Sequence, residues 1–74
     1  MITNRYLVDG MSCEHCVHAV TEEVSALPTV TDVAIELVPD GTSTVTVDSG
    51  EPLSDDQIRQ AIDEAGYTLV GHAA

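Results

Sequence analysis

Residues 53–70, LSDDQIRQAIDEAGYTLV, decide the fold, because they predict a helix with both ends marked that leads directly into a strand. Ser54 and Gln57 have the spacing of a capping box, and Gly66 lies where a left-handed residue commonly ends a helix. Residues 67–70 (YTLV) then read as a strand. The buried stripe of this helix is predicted to consist of Ile58, Ala61, Ile62 and Ala65.

Two alternating segments precede this helix and predict a β-hairpin. Apolar side chains alternate with other side chains in residues 33–37 and again in residues 44–47, as expected of half-buried strands. Residues 39–41 (PDG) form a turn sequence between the two segments. Gly50 and Pro52 mark the end of the second strand.

Another helix is predicted closer to the N-terminus, over residues 14–27, with Ser12 as its N-cap. Its apolar stripe consists of Val17, Val20, Val24 and Leu27. Before it, residues 5–9 (RYLVD) predict the first strand, with Tyr6 and Val8 on one face.

The predicted element order is therefore strand, helix, strand, strand, helix, strand. This order is typical of the ferredoxin-like βαββαβ sandwich, an α+β fold in which two helices cover one face of a four-stranded antiparallel sheet. A chain of 74 residues has room for one domain, so we assign residues 1–74 to a single unit. The absence of Trp and Phe predicts an aliphatic core.

Charge limits the partners that this chain can have. Thirteen acidic residues face two arginines and no lysine, which gives a net charge of −11. This balance argues against nucleic acid and anionic membranes as partners, because phosphate groups need cations to meet them. The acidity favours solubility or adaptation to a salty cytoplasm, and it also suits a basic partner surface. No apolar run approaches a membrane span, and residues 1–5 do not begin a secretory signal, so we expect a cytoplasmic protein without membrane insertion.

The chemistry is concentrated in Cys13 and Cys16, which lie three residues apart where the predicted loop becomes a helix. Thiolates are the metal-binding form of cysteine, and a helix N-terminus lowers the pKa of a thiol. Two thiolates are too few for a structural zinc site, which needs four ligands. Cu(I) is a soft ion that thiolates select, and it accepts low coordination. We therefore expect Cys13 and Cys16 to bind Cu(I).

Five other residues are candidates for this site. On a helical wheel His15 and His18 face solvent, although the position of His15 between the cysteines keeps it as an auxiliary candidate. His72 is expected to be solvated. Met11 is expected to fill the core beneath the loop rather than to bind metal. Tyr67 either packs near the cysteines or is an ordinary half-buried strand tyrosine, and spacing does not separate these two alternatives.

Residues 10–16, GMSCEHC, resemble the Gly-Met-x-Cys-x-x-Cys signature of the heavy-metal-associated domain family. The likeness covers nearly the whole chain and includes residues 65–67 (AGY) after the second helix. This family contains small copper chaperones, such as the bacterial CopZ type, and the N-terminal domains of copper-transporting P-type ATPases. A bare Cys-x-x-Cys is weak evidence, whereas this signature in this loop of this element order is specific.

The resemblance implies that Cys13 and Cys16 hold Cu(I). It implies that Met11 is buried under the loop and that Tyr67 lies beside the site, where it tunes access without binding the metal. Ser12 is similar to the residue found in copper-type loops. The implied partner is a copper-transporting P-type ATPase or its N-terminal metal-binding domain, reached through complementary charge. The implied state is a monomer without metal, and the exposed loop is compatible with a copper-bridged dimer.

Three other functions share parts of this pattern. A thiol–disulfide oxidoreductase uses Cys-x-x-Cys at a helix start, but the chain is short for a thioredoxin-like fold and lacks an aromatic residue before the motif, so we expect no enzyme. A domain excised from a P-type ATPase is the second alternative, and the start at Met1 and the short tail favour a standalone protein. A zinc or mercury carrier is the third; His15 keeps zinc open, whereas mercury carriers of this family are usually exported.

Overall fold

Four strands and two helices follow one another in the predicted order. The computed structural model describes residues 2–39 and 41–73. Its elements are β1 (Ile2–Asp9), α1 (Glu14–Ser25), β2 (Val30–Glu36), β3 (Ser43–Ser49), α2 (Asp55–Ala65) and β4 (Thr68–Ala73). The strands form one antiparallel sheet in the order β2-β3-β1-β4. The ferredoxin-like α+β fold is therefore confirmed.

The core lies between the sheet and the two helices. The central strands supply Tyr6 and Val8 from β1 and Val45 and Val47 from β3, which face the buried stripes of α1 and α2. Aliphatic side chains dominate, as predicted, and Tyr6 is the one aromatic member of the buried set. That set is Tyr6, Val8, Met11, Cys16, Val20, Val24, Val45, Val47, Ile58, Ala61 and Ile62. Within the described residues, neither helix is long and apolar enough to cross a membrane.

The hairpin between β2 and β3 is fixed by a buried hydroxyl. Ser43 and Ser49 lie at the two ends of β3 and are both fully buried. The Ser43 hydroxyl accepts a hydrogen bond from the backbone N–H of Val38 at 2.9 Å, so burial leaves it satisfied. Of the predicted turn at residues 39–41, Asp40 lies outside the described residues.

Both ends of α2 are as predicted. The Ser54 hydroxyl accepts from the Gln57 N–H at 3.2 Å and the Gln57 side chain accepts from the Ser54 N–H at 3.0 Å, which completes the capping box. Gly66 has a φ of 93°, in the left-handed region. The Tyr67 N–H then donates to the Ile62 carbonyl at 3.1 Å. This hydrogen bond fixes where Tyr67 leaves the helix.

The start of α1 differs from the prediction that Ser12 is its N-cap. Cys13 is the N-cap, with an extended backbone (φ −153°, ψ 173°) and no side-chain cap hydrogen bond. The Cys13 carbonyl accepts from the N–H groups of Cys16 at 3.1 Å and Val17 at 3.4 Å, so the helix begins one residue later than a cap at Ser12 would allow. The helix ends at Ser25, two residues earlier than predicted.

The last strand also differs slightly from its predicted bounds. It begins one residue later than predicted and extends to Ala73. A register shift between Leu7 and Val8 of β1 leaves Val70 of β4 without a direct partner across the sheet. Val70 is 53 % exposed, although it belongs to an apolar run, because it follows the core-facing Leu69 and points to the face of the sheet that the helices do not cover.

Candidate metal centre

A loop of residues 10–13 joins β1 to α1 and carries the first cysteine. Gly10 has a φ of +94°, a conformation that other residues rarely adopt. The ring of Tyr67 lies against it, with Cδ1 3.5 Å from where a Cβ would be. Just before the loop, Asp9 Oδ1 accepts a hydrogen bond from Thr42 Oγ1 at 2.9 Å. The loop is thus held both by the β2–β3 hairpin, through Thr42, and by Tyr67, which follows the C-cap of α2.

The sulfur atoms of Cys13 and Cys16 face each other across the first turn of α1, 3.5 Å apart. Both thiols are free. Cys13 is exposed, whereas Cys16 is 6 % exposed and belongs to the core cluster. The pair therefore presents one sulfur at the surface and keeps the other against the core.

Cys16 lies among hydrogen-bond donors that come from the loop before α1 and from Tyr67. The Cys16 sulfur accepts hydrogen bonds from the Tyr67 hydroxyl and from the backbone N–H groups of Ser12 and Cys13. These donors favour the thiolate over the thiol.

The charge of Cys16 follows from these contacts. They lower the pKa of Cys16 from 9.0 to about 6, with the Tyr67 hydroxyl contributing most and burial opposing the change. Cys16 is consequently ionised at neutral pH. The pKa of Tyr67 is raised in turn, mainly because its hydroxyl donates to Cys16.

Two further predicted site residues lie next to the pair. Met11 is 1 % exposed and packs in the core cluster, which leaves its sulfur inside the fold rather than at the surface. Tyr67 is half-buried and contacts Cys16 and Gly10. Spacing left two alternatives open for Tyr67. In the structure Tyr67 lies beside the cysteines.

The three histidines are not gathered at the pair. His15 and His18 are exposed on α1. His72 lies on β4 and stacks on Tyr6, with ring centroids 4.8 Å apart and planes 15° from parallel. In residues 2–39 and 41–73, no group of three or more His, Cys, Asp or Glu side chains is arranged to hold a metal ion. His15 therefore does not join Cys13 and Cys16 in a three-ligand cluster.

Some contacts of the site were not anticipated from the sequence. The N–H groups of Ser12 and Cys13 point to the Cys16 sulfur, and no side-chain pattern signals a backbone donor. The hydrogen bond between Thr42 and Asp9 joins residues far apart in the chain. Gly10 was the available signal, because a glycine before such a motif indicates a backbone conformation that other residues rarely adopt.

This arrangement suits a soft metal ion of low coordination number. The ionised sulfur of Cys16 is ready to bind without first losing a proton at neutral pH. The exposed sulfur of Cys13 leaves one side of a bound ion open to solvent. A ligand from another molecule can approach from that side.

Comparisons with known proteins identify the family of this chain. The heavy-metal-associated domain profile matches residues 5–68. The chain is 37 % identical over 70 residues to a copper chaperone CopZ of Staphylococcus haemolyticus, covering 93 % of this chain and 98 % of that protein.

Two solved structures share the fold. One is a CopZ metallochaperone with a TM-score of 0.76, 27 % identity, and coverage of 93 % of this chain and 100 % of the other. The second is the yeast copper transporter domain Ccc2a, with a TM-score of 0.80, 24 % identity, and coverage of 97 % and 94 %; at this identity the likeness concerns the fold alone. On the profile match and the identity to CopZ, this chain belongs to the heavy-metal-associated domain family.

Proposed function

We propose that this chain is a cytoplasmic copper(I) chaperone that carries one Cu(I) ion between Cys13 and Cys16 and passes it to a partner protein. The observation that carries the proposal is the unequal pair of sulfurs, 3.5 Å apart at a helix start. One is exposed and the other is anchored by three donors. The similarity to proteins named copper chaperone CopZ supports the same cargo.

The choice of Cu(I) over zinc rests on the number and type of donors. Zinc in a structural site takes four ligands, and in the described residues no third His, Cys, Asp or Glu side chain joins the two sulfurs. Thiolates select soft ions, and Cu(I) is stable with few ligands. The site holds an ion as cargo, and we assign it no catalytic step.

Transfer follows from the difference in exposure between the two sulfurs. A thiolate of the partner approaches the ion from the exposed side and binds it, and the bond to Cys13 then breaks. Cys16, held by Tyr67 and two backbone N–H groups, keeps the ion in place until a second partner thiolate replaces it. The ion is never released to solvent, since each bond forms before the next one breaks.

The partner that we propose is a copper-transporting P-type ATPase or its N-terminal metal-binding domain. The end of the molecule that carries the cysteines also carries exposed acids at Asp9, Glu14, Asp63 and Glu64. Such a surface attracts a partner whose own metal site is surrounded by basic residues. Without metal we expect a monomer, and an ion shared between two exposed loops would give a copper-bridged dimer.

X-ray absorption of the reduced, copper-loaded protein tests the cargo and its ligands together. We expect two sulfur donors in the wild type and loss of tight binding in Cys13→Ser and in Cys16→Ser. Ser12→Ala is the matched control, because it alters a side chain in the same loop and keeps the backbone N–H that faces Cys16. Nitrogen or oxygen as the main donors, or full affinity in either cysteine variant, would refute the two-sulfur site. Displacement of Cu(I) by Zn²⁺ under reducing conditions would refute the choice of cargo.

A further inference from the structure

The two edges of the sheet differ in charge. β2 forms one edge and carries Asp32 and Glu36, which are both exposed. β4 forms the other edge, and its six residues, TLVGHA, include no acid. Charged side chains keep an edge strand from pairing with another chain. The β4 edge therefore lacks the protection that β2 has, in a chain with thirteen acids.

Space for another backbone lies beside Gly71. Apart from the adjacent residues, no described atom comes within 4 Å of the place that a Cβ of Gly71 would occupy. A glycine inside a strand often marks the close approach of another backbone. A strand added to β4 would cover the exposed side chain of Val70 and gain main-chain hydrogen bonds along the open edge.

A pocket of about 120 Å³ lies next to this edge, between β4 and the beginning of α2. One side chain of moderate size fills such a volume. Alternate side chains of an added strand point to opposite faces, so one of them reaches the pocket while its neighbours lie over Val70. The lining residues are Tyr6, Asp55, Arg59, Leu69, Val70, Gly71 and His72.

The α2 wall of this pocket offers an acceptor and a donor together. Asp55 and Arg59 are four residues apart, and side chains at this spacing lie on one face of a helix. Their opposite charges balance each other. Arg59 also lies 3.5 Å from Asp56, but both of those side chains are mainly exposed, and such ion pairs are weak. The guanidinium of Arg59 is therefore available to another acceptor.

A neutral side-chain amide matches this wall. Its NH₂ group donates to the Asp55 carboxylate while its oxygen accepts from Arg59. The buried Tyr6 supplies a further hydroxyl, which stays protonated because burial and then the charge of Asp55 raise the pKa of Tyr6. A carboxylate would be repelled by Asp55, and a cation by Arg59.

We propose that an extended segment of a partner protein adds to β4 as a fifth strand and places an asparagine or glutamine side chain in this pocket. A second copy of the chain does not fit this role. Neither of its edge strands contains an asparagine or a glutamine, and its own charge of −11 opposes close approach.

This docking site lies apart from the cysteines. The pocket is at the first turns of α2, whereas Tyr67, beside the cysteines, follows its last turn. The 11 residues of the helix span about 16 Å between them. The proposal therefore goes beyond Cu(I) transfer, and a segment bound to β4 leaves the metal centre open.

The test uses two-dimensional NMR of the full reduced, metal-free chain in about 0.15 M KCl, which screens long-range repulsion. The probe is the acetylated and amidated peptide Ser-Thr-Val-Gln-Val-Thr-Ser. One control peptide has N-methyl groups on its three central residues, and another has leucine in place of glutamine. We expect saturable shifts at Val70, Gly71 and His72 with the probe, none with the N-methylated peptide, and about tenfold weaker binding of the leucine peptide.

Variants of neighbouring residues on α2 locate the side-chain pocket. Arg59→Met is expected to weaken binding of the probe about tenfold, because the amide oxygen loses its donor. Arg59→Lys keeps a cationic donor and is expected to retain most of the affinity. Gln60→Met is the matched control, since Gln60 is exposed and lines a different cavity. Its effect is expected to be about twofold or less.

Four results would overturn the proposal. Equal binding of the N-methylated peptide would refute strand addition, and equal binding of the leucine peptide would refute the amide pocket. Equal losses in Arg59→Met and Gln60→Met would place binding elsewhere. Shifts at β4 that grow with protein concentration in the absence of peptide would make a second copy the occupant. None of these results bears on the Cu(I) proposal, because the chain is metal-free and both cysteines are unchanged.

Discussion

Cys13 and Cys16 have the same side chain and different surroundings, and this difference gives the site its properties. Cys13 is open to solvent. Cys16 receives hydrogen bonds from Tyr67 and from two backbone N–H groups. The proposed transfer of Cu(I) uses this difference, because one sulfur is anchored and the other is exposed.

We expect Tyr67→Phe to raise the pKa of Cys16 above its value of about 6, because the lost hydroxyl is the largest of the donors that favour the thiolate. The ultraviolet absorbance of the thiolate, followed against pH in the reduced metal-free protein, measures this shift. Tyr6→Phe is the matched control, since it removes the same hydroxyl from a tyrosine on the other side of the core. An unchanged pKa in Tyr67→Phe would show that Tyr67 does not donate to Cys16.

The lowered pKa of Cys16 also makes the stability of the folded state depend on pH. Cys16 loses its proton more easily in the folded chain than at its ordinary pKa of 9.0. Its ionisation therefore stabilises the fold fully above pH 9.0, and this contribution is lost as the pH falls through about 6.

Sequence reasoning named candidate residues that the structure brings together, but not the difference between the two cysteines. Cys13, Cys16, Met11 and Tyr67 were all named from the motif and the element order. Which cysteine is buried depends on the extended backbone of Cys13 and on the path of the loop around Gly10. These are tertiary features, and residue types alone do not encode them.

At the scale of elements, the two helices show what local sequence can and cannot predict. The ends of α2 were predicted correctly, because its capping box and its left-handed glycine act within a few residues. For α1 the first helical residue, Glu14, was predicted correctly, but the N-cap was not. Ser12 is a good capping residue, yet the chain turns into the helix one residue later, at Cys13.

This contrast gives a paired prediction on stability. Ser54→Ala is expected to lower the free energy of unfolding by about 1 kcal/mol, because it removes a cap that accepts the Gln57 N–H. Ser12→Ala is expected to change it by less than about 0.5 kcal/mol, the usual effect of a surface substitution. Urea unfolding of the two variants and the wild type measures both values. Equal losses would mean that Ser12 caps α1 after all.

At the scale of the whole molecule, the element order was enough to predict the topology. α1 joins β1 to β2 and α2 joins β3 to β4, each across one intervening strand of the sheet order β2-β3-β1-β4, and both helices cover the same face as the ferredoxin-like arrangement requires. The distribution of charge over the surface was not predictable in the same way. It depends on which faces of the helices remain uncovered.

The net charge of −11 predicts that salt stabilises this fold. The longest dimension of the molecule is 32 Å, so at about 0.01 M salt, where the Debye length is about 30 Å, the acids repel one another across the whole domain. Among the described residues one ion pair is present, between Asp56 and Arg59 on the surface.

We expect KCl at about 0.15 M to raise the Tm, because the Debye length then falls to about 8 Å. Each gain of about 1 kcal/mol corresponds to about 4–8 °C in a domain of this size. Thermal unfolding followed by circular dichroism measures the change. In Asp32→Asn with Glu51→Gln, which removes two of the acids, the gain is expected to be smaller. A Tm that does not respond to KCl would contradict the prediction.

The placement of the two tyrosines has a practical consequence. The chain lacks tryptophan, so its intrinsic fluorescence comes from Tyr6 and Tyr67. Tyr6 is sealed in the interior under His72, while Tyr67 touches a thiolate at the mouth of the site. The fluorescence of Tyr6 therefore reports whether the chain is folded, and the fluorescence of Tyr67 reports the state of the Cys16 sulfur. Metal loading of the protein can thus be followed optically without an added label.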